Sequence, residues 1–246
     1  GLEAAKALRD LGLETHVVEF APRLMAVQLD EGGAKILRRK IESLGVKVHT
    51  EKNTLEIVDG ENARHVMKFA DGSALETDLI LFSAGIRPRD ELGKQAELEM
   101  GPRGGIVVNN YCQTSDPDIY AIGEVALWSG RIYGLVAPGY HMATVAADHI
   151  MAVSAKEFVG ADMSTKLKLM GVDVGSIGDA MGTTPGAQSY YYIDDSKDIY
   201  KKIVVSSDGK HLLGAVMVGD VDAYGGLLQL MLNKMELPEY PDVLIL

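Results

Sequence analysis

The first fifty residues carry one pattern twice: a helical stripe followed by a short β-rich run. Leu2, Ala5, Leu8 and Leu11 recur every third position, and Gly12 follows as a C-terminal stop. Thr15-His16-Val17-Val18-Glu19-Phe20 then reads as a strand, broken by Pro22. Residues 29–44 predict a second helix with Leu29, Ile36, Leu37, Ile41 and Leu44 inward and Gly45 after it, and Val46-Lys47-Val48 opens the next strand. Helix and strand alternating over short connections is the order that builds a parallel sheet with helices on its faces. The chain is therefore expected to be α/β.

The remainder extends this frame. Residues 53–77 alternate as a β-meander with Asp71-Gly72 as a turn. Asp78-Leu79-Ile80-Leu81-Phe82 is nearly continuous apolar sequence, the signature of a parallel strand buried on both faces, and it stops sharply at Ser83-Ala84-Gly85-Ile86-Arg87-Pro88. Two short strands are expected at Gly105 to Asn109 and Ile119 to Gly123, and a helix at Leu135 to Met151 with Pro138 in its first turn. Residues 156–166 read as a connector. Beyond them the texture becomes strand-rich (Gly171–Ile177, Ser189–Ile193, Tyr200–Ser206, His211–Val218) and closes with a helix from Tyr224 to Met235.

Charge and cysteine content narrow the function classes. With 24 Lys+Arg against 35 Asp+Glu the net charge is −11, which disfavours broad nucleic-acid binding. The basic run Arg38-Arg39-Lys40 lies on a helix with Glu31 and Glu42 and reads as a solvated face. No apolar run approaches the length of a membrane span. The single cysteine, Cys112, excludes an internal disulfide and any iron–sulfur cluster or structural zinc held by cysteines of this chain alone. It is compatible with a cytoplasmic location. The six histidines show no metal-ligand spacing, and packing or surface roles are expected of them. The chain begins at Gly1, already inside a helical pattern, so a piece cut from a longer polypeptide is expected.

Three segments carry chemistry. A dinucleotide fingerprint runs from a strand through G-x-G-x-x-G into a helix, with an acid about 20 residues on that accepts the ribose hydroxyls. Gly1 occupies the last glycine position, the helix follows at once, and Glu19 ends the next strand. Thr114-Ser115-Asp116-Pro117-Asp118-Ile119-Tyr120-Ala121-Ile122-Gly123-Glu124 resembles the second flavin fingerprint of the pyridine nucleotide–disulfide reductase superfamily, with Glu124 where an Asp is usual. Leu81-Phe82-Ser83-Ala84-Gly85-Ile86-Arg87-Pro88 resembles the passage by which chains of that superfamily leave the NAD domain, with Gly85 giving close approach to the dinucleotide.

Further segments narrow the resemblance: Glu14-Thr15-His16-Val17-Val18-Glu19-Phe20-Ala21-Pro22, Gly104-Gly105-Ile106-Val107-Val108, Gly134-Leu135-Val136-Ala137-Pro138-Gly139-Tyr140 and Lys166-Leu167-Lys168-Leu169-Met170-Gly171-Val172-Asp173-Val174. With them, essentially the whole chain resembles the flavoprotein module of assimilatory NAD(P)H nitrite reductase large subunits. That resemblance implies Rossmann-like, doubly wound FAD/NAD-binding domains, N-terminally truncated, plus a small C-terminal α+β domain. The expected boundaries are 1–86 (NAD-binding, lacking its first strand), 87–157 (the C-terminal part of the FAD domain) and 164–246.

The resemblance also implies roles. NAD(P)H would pass a hydride to FAD, and electrons would continue to iron–sulfur and siroheme centres in later domains of the full-length protein. Glu3 would orient the nicotinamide carboxamide, or else simply complement the helix dipole. Gly1 and Gly85 would flank the dinucleotide. Glu19 would bind the ribose and favour NADH over NADPH, with Arg23 weakening that preference. Gly123 and Glu124 would hold the ribityl chain, and the helix N-terminus at Val136 and Ala137 would face the flavin pyrimidine. Trp128 would either shield the flavin edge or pack its loop. Partners are NADH or NADPH, downstream redox domains and, as a candidate, a second copy of the chain. Two alternatives stay open: a ferredoxin or rubredoxin reductase-type flavoenzyme, and a non-catalytic structural or interaction piece. The piece alone is expected to be inactive and to hold flavin poorly.

Overall fold

The computed structural model describes residues 1–246. Its contacts divide into two compact units, residues 1–83 with 164–246, and residues 84–163.

The first unit opens with α1 (Leu2–Asp10), which buries Ala5 and ends before Gly12, where φ is +81. Strand β1 (His16–Val18) leads through a loop to α2 (Glu31–Ser43) and then to β2 (Lys47–His49). β1 and β2 pair in parallel, with Val17 opposite Val48. α2 starts two residues later than its apolar pattern, because Asp30 caps it: Oδ1 accepts the Gly33 N–H at 3.0 Å. Leu29 is fully buried just ahead of that cap. Strands β3 (Thr54–Asp59), β4 (His65–Phe69) and β5 (Ala74–Thr77) form the expected antiparallel meander in the order β3-β4-β5, and Gly72 takes the positive φ of the turn.

The apolar run at 78–82 departs from expectation. It forms no strand, and Leu79, Leu81 and Phe82 are exposed by 59%, 53% and 75%. Sequence of this kind becomes a strand only when neighbours satisfy its backbone, and the parallel sheet of this unit is the β1–β2 pair alone.

In the second unit α3 (Glu91–Gln95) precedes β6 (Ile106–Val108), which pairs in parallel with β7 (Ala126–Trp128). The strand expected at Ile119 to Gly123 is absent. Tyr120 makes an isolated bridge to Gln113, and Gly123–Val125 closes into a single 3-10 turn ahead of β7. α4 (Val136–Ile150) follows with Pro138 buried in its first turn. The core is Cys112, Ala126, Met142 and Phe158, all fully buried. The Trp128, Tyr133 and His141 rings meet Phe158 edge-on at 5.1, 5.7 and 5.2 Å.

The chain then returns to the first unit as β8 (Thr165–Leu169), β9 (Val172–Gly178), β10 (Gln188–Asp194), β11 (Ile199–Val205), β12 (Leu212–Val218) and α5 (Tyr224–Leu232). β8, part of which read as connector, is the edge of an antiparallel sheet in the order β10-β11-β12-β9-β8. Side chains alternate across it. Ile177, Ile203, Ala215 and Met217 pack with Tyr224 and Leu227 of α5. Val174, Tyr200, Val216 and Val218 pack with Ile36, Leu37 and Ile41 of α2. The sheet of 164–246 thus closes one of its faces with a helix from the N-terminal segment.

A buried polar group marks that junction. Asp30 Oδ2 accepts the Tyr200 hydroxyl at 2.7 Å and lies 3.2 Å from Lys202 Nζ, which also donates to the Ala180 carbonyl at 3.1 Å. Burial, and next the hydrogen bond to Asp30, push the Tyr200 phenol well above its ordinary value.

Candidate functional site

In the second unit a cleft of about 380 Å³ is lined by Ile122, Gly123, Glu124, Leu135, Val136, Gly139, Tyr140 and Ala143. Local sequence explains its shape. Gly123 sits at φ +73, a conformation costly for a residue with a Cβ. Gly139 faces it: a Cβ there would lie 3.3 Å from the Gly123 Cα, so the close approach of the first turn of α4 to the 3-10 turn depends on glycine at 139, while glycine at 123 serves its backbone conformation. The N-cap position of α4 is held by Leu135, whose side chain cannot cap, and no side-chain hydrogen bond closes the helix start. Its first-turn N–H groups therefore present their donors and the positive end of the helix dipole. Ile122, Val136 and Tyr140 give apolar walls exposed by 41%, 70% and 71%. Glu124 is exposed beside them. Apolar walls, free N–H donors and one carboxylate suit a flat ring that carries an anionic edge and a hydroxylated chain.

Behind the cleft, the Tyr120 hydroxyl lies 2.7 Å from His149 Nδ1, tying the segment that leads into Gly123 to the far end of α4. The Tyr111 ring stacks on His149 at 4.4 Å. The two histidines of α4, His141 and His149, are thus packing residues. Trp128 is also a packing residue: its indole N–H donates to Asn110 at 3.0 Å, and it is absent from the cleft lining. Cys112 is sealed in the core, where burial pushes its thiol up to about 11.

Of the residues singled out from sequence, Gly123, Glu124 and Val136 come together in this cleft, while Ala137 is exposed in the same helical turn without lining it. Gly85 is exposed with φ +84 and open space around it. Ile122, Leu135, Gly139, Tyr140 and Ala143 were not singled out. The spacing of Gly139 and Ala143, one helical turn apart, was the available signal for a small-residue face.

The other candidates belong to the first unit. Gly1 is the N-cap residue of α1 with no side-chain cap, and Glu3 is exposed in the first turn. The Gly1 Cα faces the Ser83 side chain, whose atoms lie 3.6–3.7 Å from where a Cβ would stand. Glu19 follows β1, its backbone N–H bonded to the His49 carbonyl at 2.8 Å and its Oε1 accepting the Ala21 N–H at 2.7 Å. Arg23 donates through Nε to the Leu29 carbonyl at 3.0 Å and through Nη2 to the Ala26 carbonyl at 3.2 Å. Among all residues no group of three or more His, Cys, Asp or Glu is arranged to hold a metal ion.

Comparison with known proteins bears on both regions. Residues 1–150 match the Pyridine nucleotide-disulphide oxidoreductase family, and residues 164–235 match the Rubredoxin NAD+ reductase C-terminal domain. The chain is 67% identical over its whole length to the NADH nitrite reductase large subunit of Escherichia coli K12, covering 29% of that protein. It is 38% identical to the NAD(P)H nitrite reductase of Bacillus subtilis 168, again over its whole length and 30% of the relative. Among solved structures, an NAD-dependent persulfide reductase from A. fulgidus superposes with a TM-score of 0.77 at 25% identity, covering 98% of this chain and 49% of that one. The chain therefore spans less than a third of the length of these two nitrite reductase relatives.

Proposed function

This chain belongs to the pyridine nucleotide-disulphide oxidoreductase family, and from that premise we propose that it is the electron-entry part of an NAD(P)H nitrite reductase large subunit. In this reading the cleft at 122–143 takes the flavin of FAD, and the segment from Gly1 to Glu19 takes the nicotinamide dinucleotide. FAD supplies a two-electron acceptor for the hydride of reduced nicotinamide. Later domains of the longer polypeptide, with iron–sulfur and siroheme centres, use those electrons to reduce nitrite to ammonia.

The chain's own residues do the following. The uncapped N–H groups of α4 hold the anionic edge of the ring, Glu124 accepts hydroxyls of the attached chain, and Ile122, Val136 and Tyr140 exclude water from its faces. Glu19 would accept the ribose hydroxyls and disfavour a 2′-phosphate, and Glu3, in the first turn of α1, would serve the nicotinamide. Gly85, at positive φ, leaves room for a nucleotide beside the backbone. The cysteine of this chain, Cys112, is buried with a raised thiol, so these residues supply no redox disulfide of their own.

The observation that carries the flavin assignment is the contact of Gly139 on Gly123 beneath an uncapped helix. The test is FAD titration of the full-length polypeptide, followed by quenching of flavin fluorescence, for the parent, Gly139→Val and Glu124→Gln. Loss of binding in Gly139→Val and weakening in Glu124→Gln support the assignment. Parent-like binding in both overturns it. No helix is long and apolar enough to cross a membrane, and a cytoplasmic site of action and a homodimer belong to the same proposal.

One observation favours a second reading. The match of residues 164–235 to a rubredoxin reductase domain fits an enzyme that hands electrons to a separate iron–sulfur protein. Rapid reduction of added rubredoxin or ferredoxin, with no electrons reaching attached centres, would favour it.

A further inference from the structure

By its spacing after Glu19, Arg23 reads as a cation for a ribose phosphate. Its geometry is different. The Nε–H and Nη2–H edge of the guanidinium, the edge that grips an oxyanion with two parallel bonds, is taken by the carbonyls of Leu29 and Ala26. These carbonyls lie at the far end of the loop that Glu19 begins. The loop is tight: the Met25 carbonyl accepts from the N–H groups of Gln28 and Leu29, with Met25 itself at φ +51. Leu24 and Leu29 anchor it in the core. Asp30, the next residue, is bound to Tyr200 and Lys202 of the five-stranded sheet. To reach a phosphate through that edge, Arg23 would strip two backbone acceptors in a loop whose end is fixed. Glu19 meanwhile keeps its carboxylate turned onto the Ala21 N–H.

We propose that Arg23 is a positioning residue, the brace of the 19–30 loop, and that it is withheld from the nucleotide. The site is thereby built for a dinucleotide whose adenosine ribose has both hydroxyls free. This deepens the proposed function and rests on Glu19 meeting the ribose.

The probes are 5′-AMP and 2′,5′-ADP, titrated calorimetrically into the full-length polypeptide, with NADH and NADPH as the dinucleotide pair. A brace predicts that Arg23→Ala and Arg23→Lys weaken both members of each pair by the same factor, within about twofold, and lower the melting temperature. It also predicts that Glu19→Ser alone does not convert the site to tight 2′-phosphate binding. A phosphate ligand predicts that Arg23→Ala loses at least about tenfold more affinity for 2′,5′-ADP than for 5′-AMP, with Arg23→Lys retaining most of it. That result overturns the inference while leaving the ribose assignment intact. Should Arg23→Ala fail to fold, Arg23→Gln, which keeps an N–H donor for a carbonyl but no charge for a phosphate, decides by the same ratio. A Glu19→Gln variant that binds 5′-AMP as tightly as the parent, or a parent that binds neither probe, overturns the ribose assignment and the inference together.

Discussion

The Tyr200 hydroxyl donates to Asp30 Oδ2 at 2.7 Å across 170 residues of chain. The same carboxylate caps α2 through its other oxygen and neutralises Lys202, whose side chain is 5% exposed. Asp30→Asn keeps an acceptor for the cap and removes the charge opposite Lys202. Breaking one partner of a buried pair costs about 3–5 kcal/mol. Asp30 retains 18% exposure, so a loss somewhat below that range, about 2–3 kcal/mol, is expected for Asn, and more for Ala. Denaturant unfolding measures it; a change in Asp30→Asn below about 0.5 kcal/mol would show that water already screens the pair.

His16 Nδ1 and His49 Nε2 lie 3.0 Å apart, and one of them must accept. Burial, then the His16, Lys52, Arg38 and Lys47 charges, hold the His49 pKa below its ordinary 6.5. The unfolded chain therefore binds more protons in the window just below 6.5, and stability falls as pH drops through it. Above that window the contribution is complete. Unfolding midpoints taken from pH ~7.5 to ~5 are expected to decline, and less steeply in His49→Gln. Equal slopes in the two proteins would remove His49 from the account.

Cys112 is buried with its thiol raised to about 11. Native protein is expected to resist aromatic disulfide reagents at pH 8 and to release one thiol equivalent on denaturation. The unfolded thiol loses its proton first, so stability also falls as pH rises from about 9 toward 11. Fast native labelling would mean that the segment around Cys112 opens far below the global unfolding free energy.

Gly139 and Gly123 form a graded test of the cleft. Ala at 139 brings a Cβ to 3.3 Å of the Gly123 Cα, a misfit of a few tenths of an ångström. Val there forces the helix start outward, an overpacking of about 1–3 kcal/mol. Gly123→Ala meets open space but carries φ +73, with a strain of about 1 kcal/mol. Flavin affinity in the full-length polypeptide should fall in the order Gly139→Ala, Gly123→Ala, Gly139→Val, as read by fluorescence quenching. Gly139→Val binding as well as Gly139→Ala would break the link between helix placement and affinity.

Local periodicity located α1, α2, α4, the meander and β9 to β12, because each is decided by its own apolar spacing and turn residues. It misplaced 78–82, whose state depends on strands beside it and not on its own composition. β8 was half hidden because its first two residues, Thr165 and Lys166, close the stretch 156–166 that reads as a connector, and only its pairing with β9 sets where the strand begins. Gly123, Glu124 and Val136 were legible as cleft residues from motif resemblance. Gly139 gained its meaning only from the turn it rests on, 16 positions earlier. The Arg23 brace was not legible at all, since backbone carbonyls leave no mark in a sequence.

Because α2 forms one wall of a sheet made from residues 164–246, its apolar stripe emerges from the ribosome more than a hundred residues before the strands that cover it. At about 5–20 residues per second, that stripe stays unprotected for many seconds. The N-terminal segment must wait for the C-terminal one, and nascent chains stalled between them are the species for which chaperone capture should be sought.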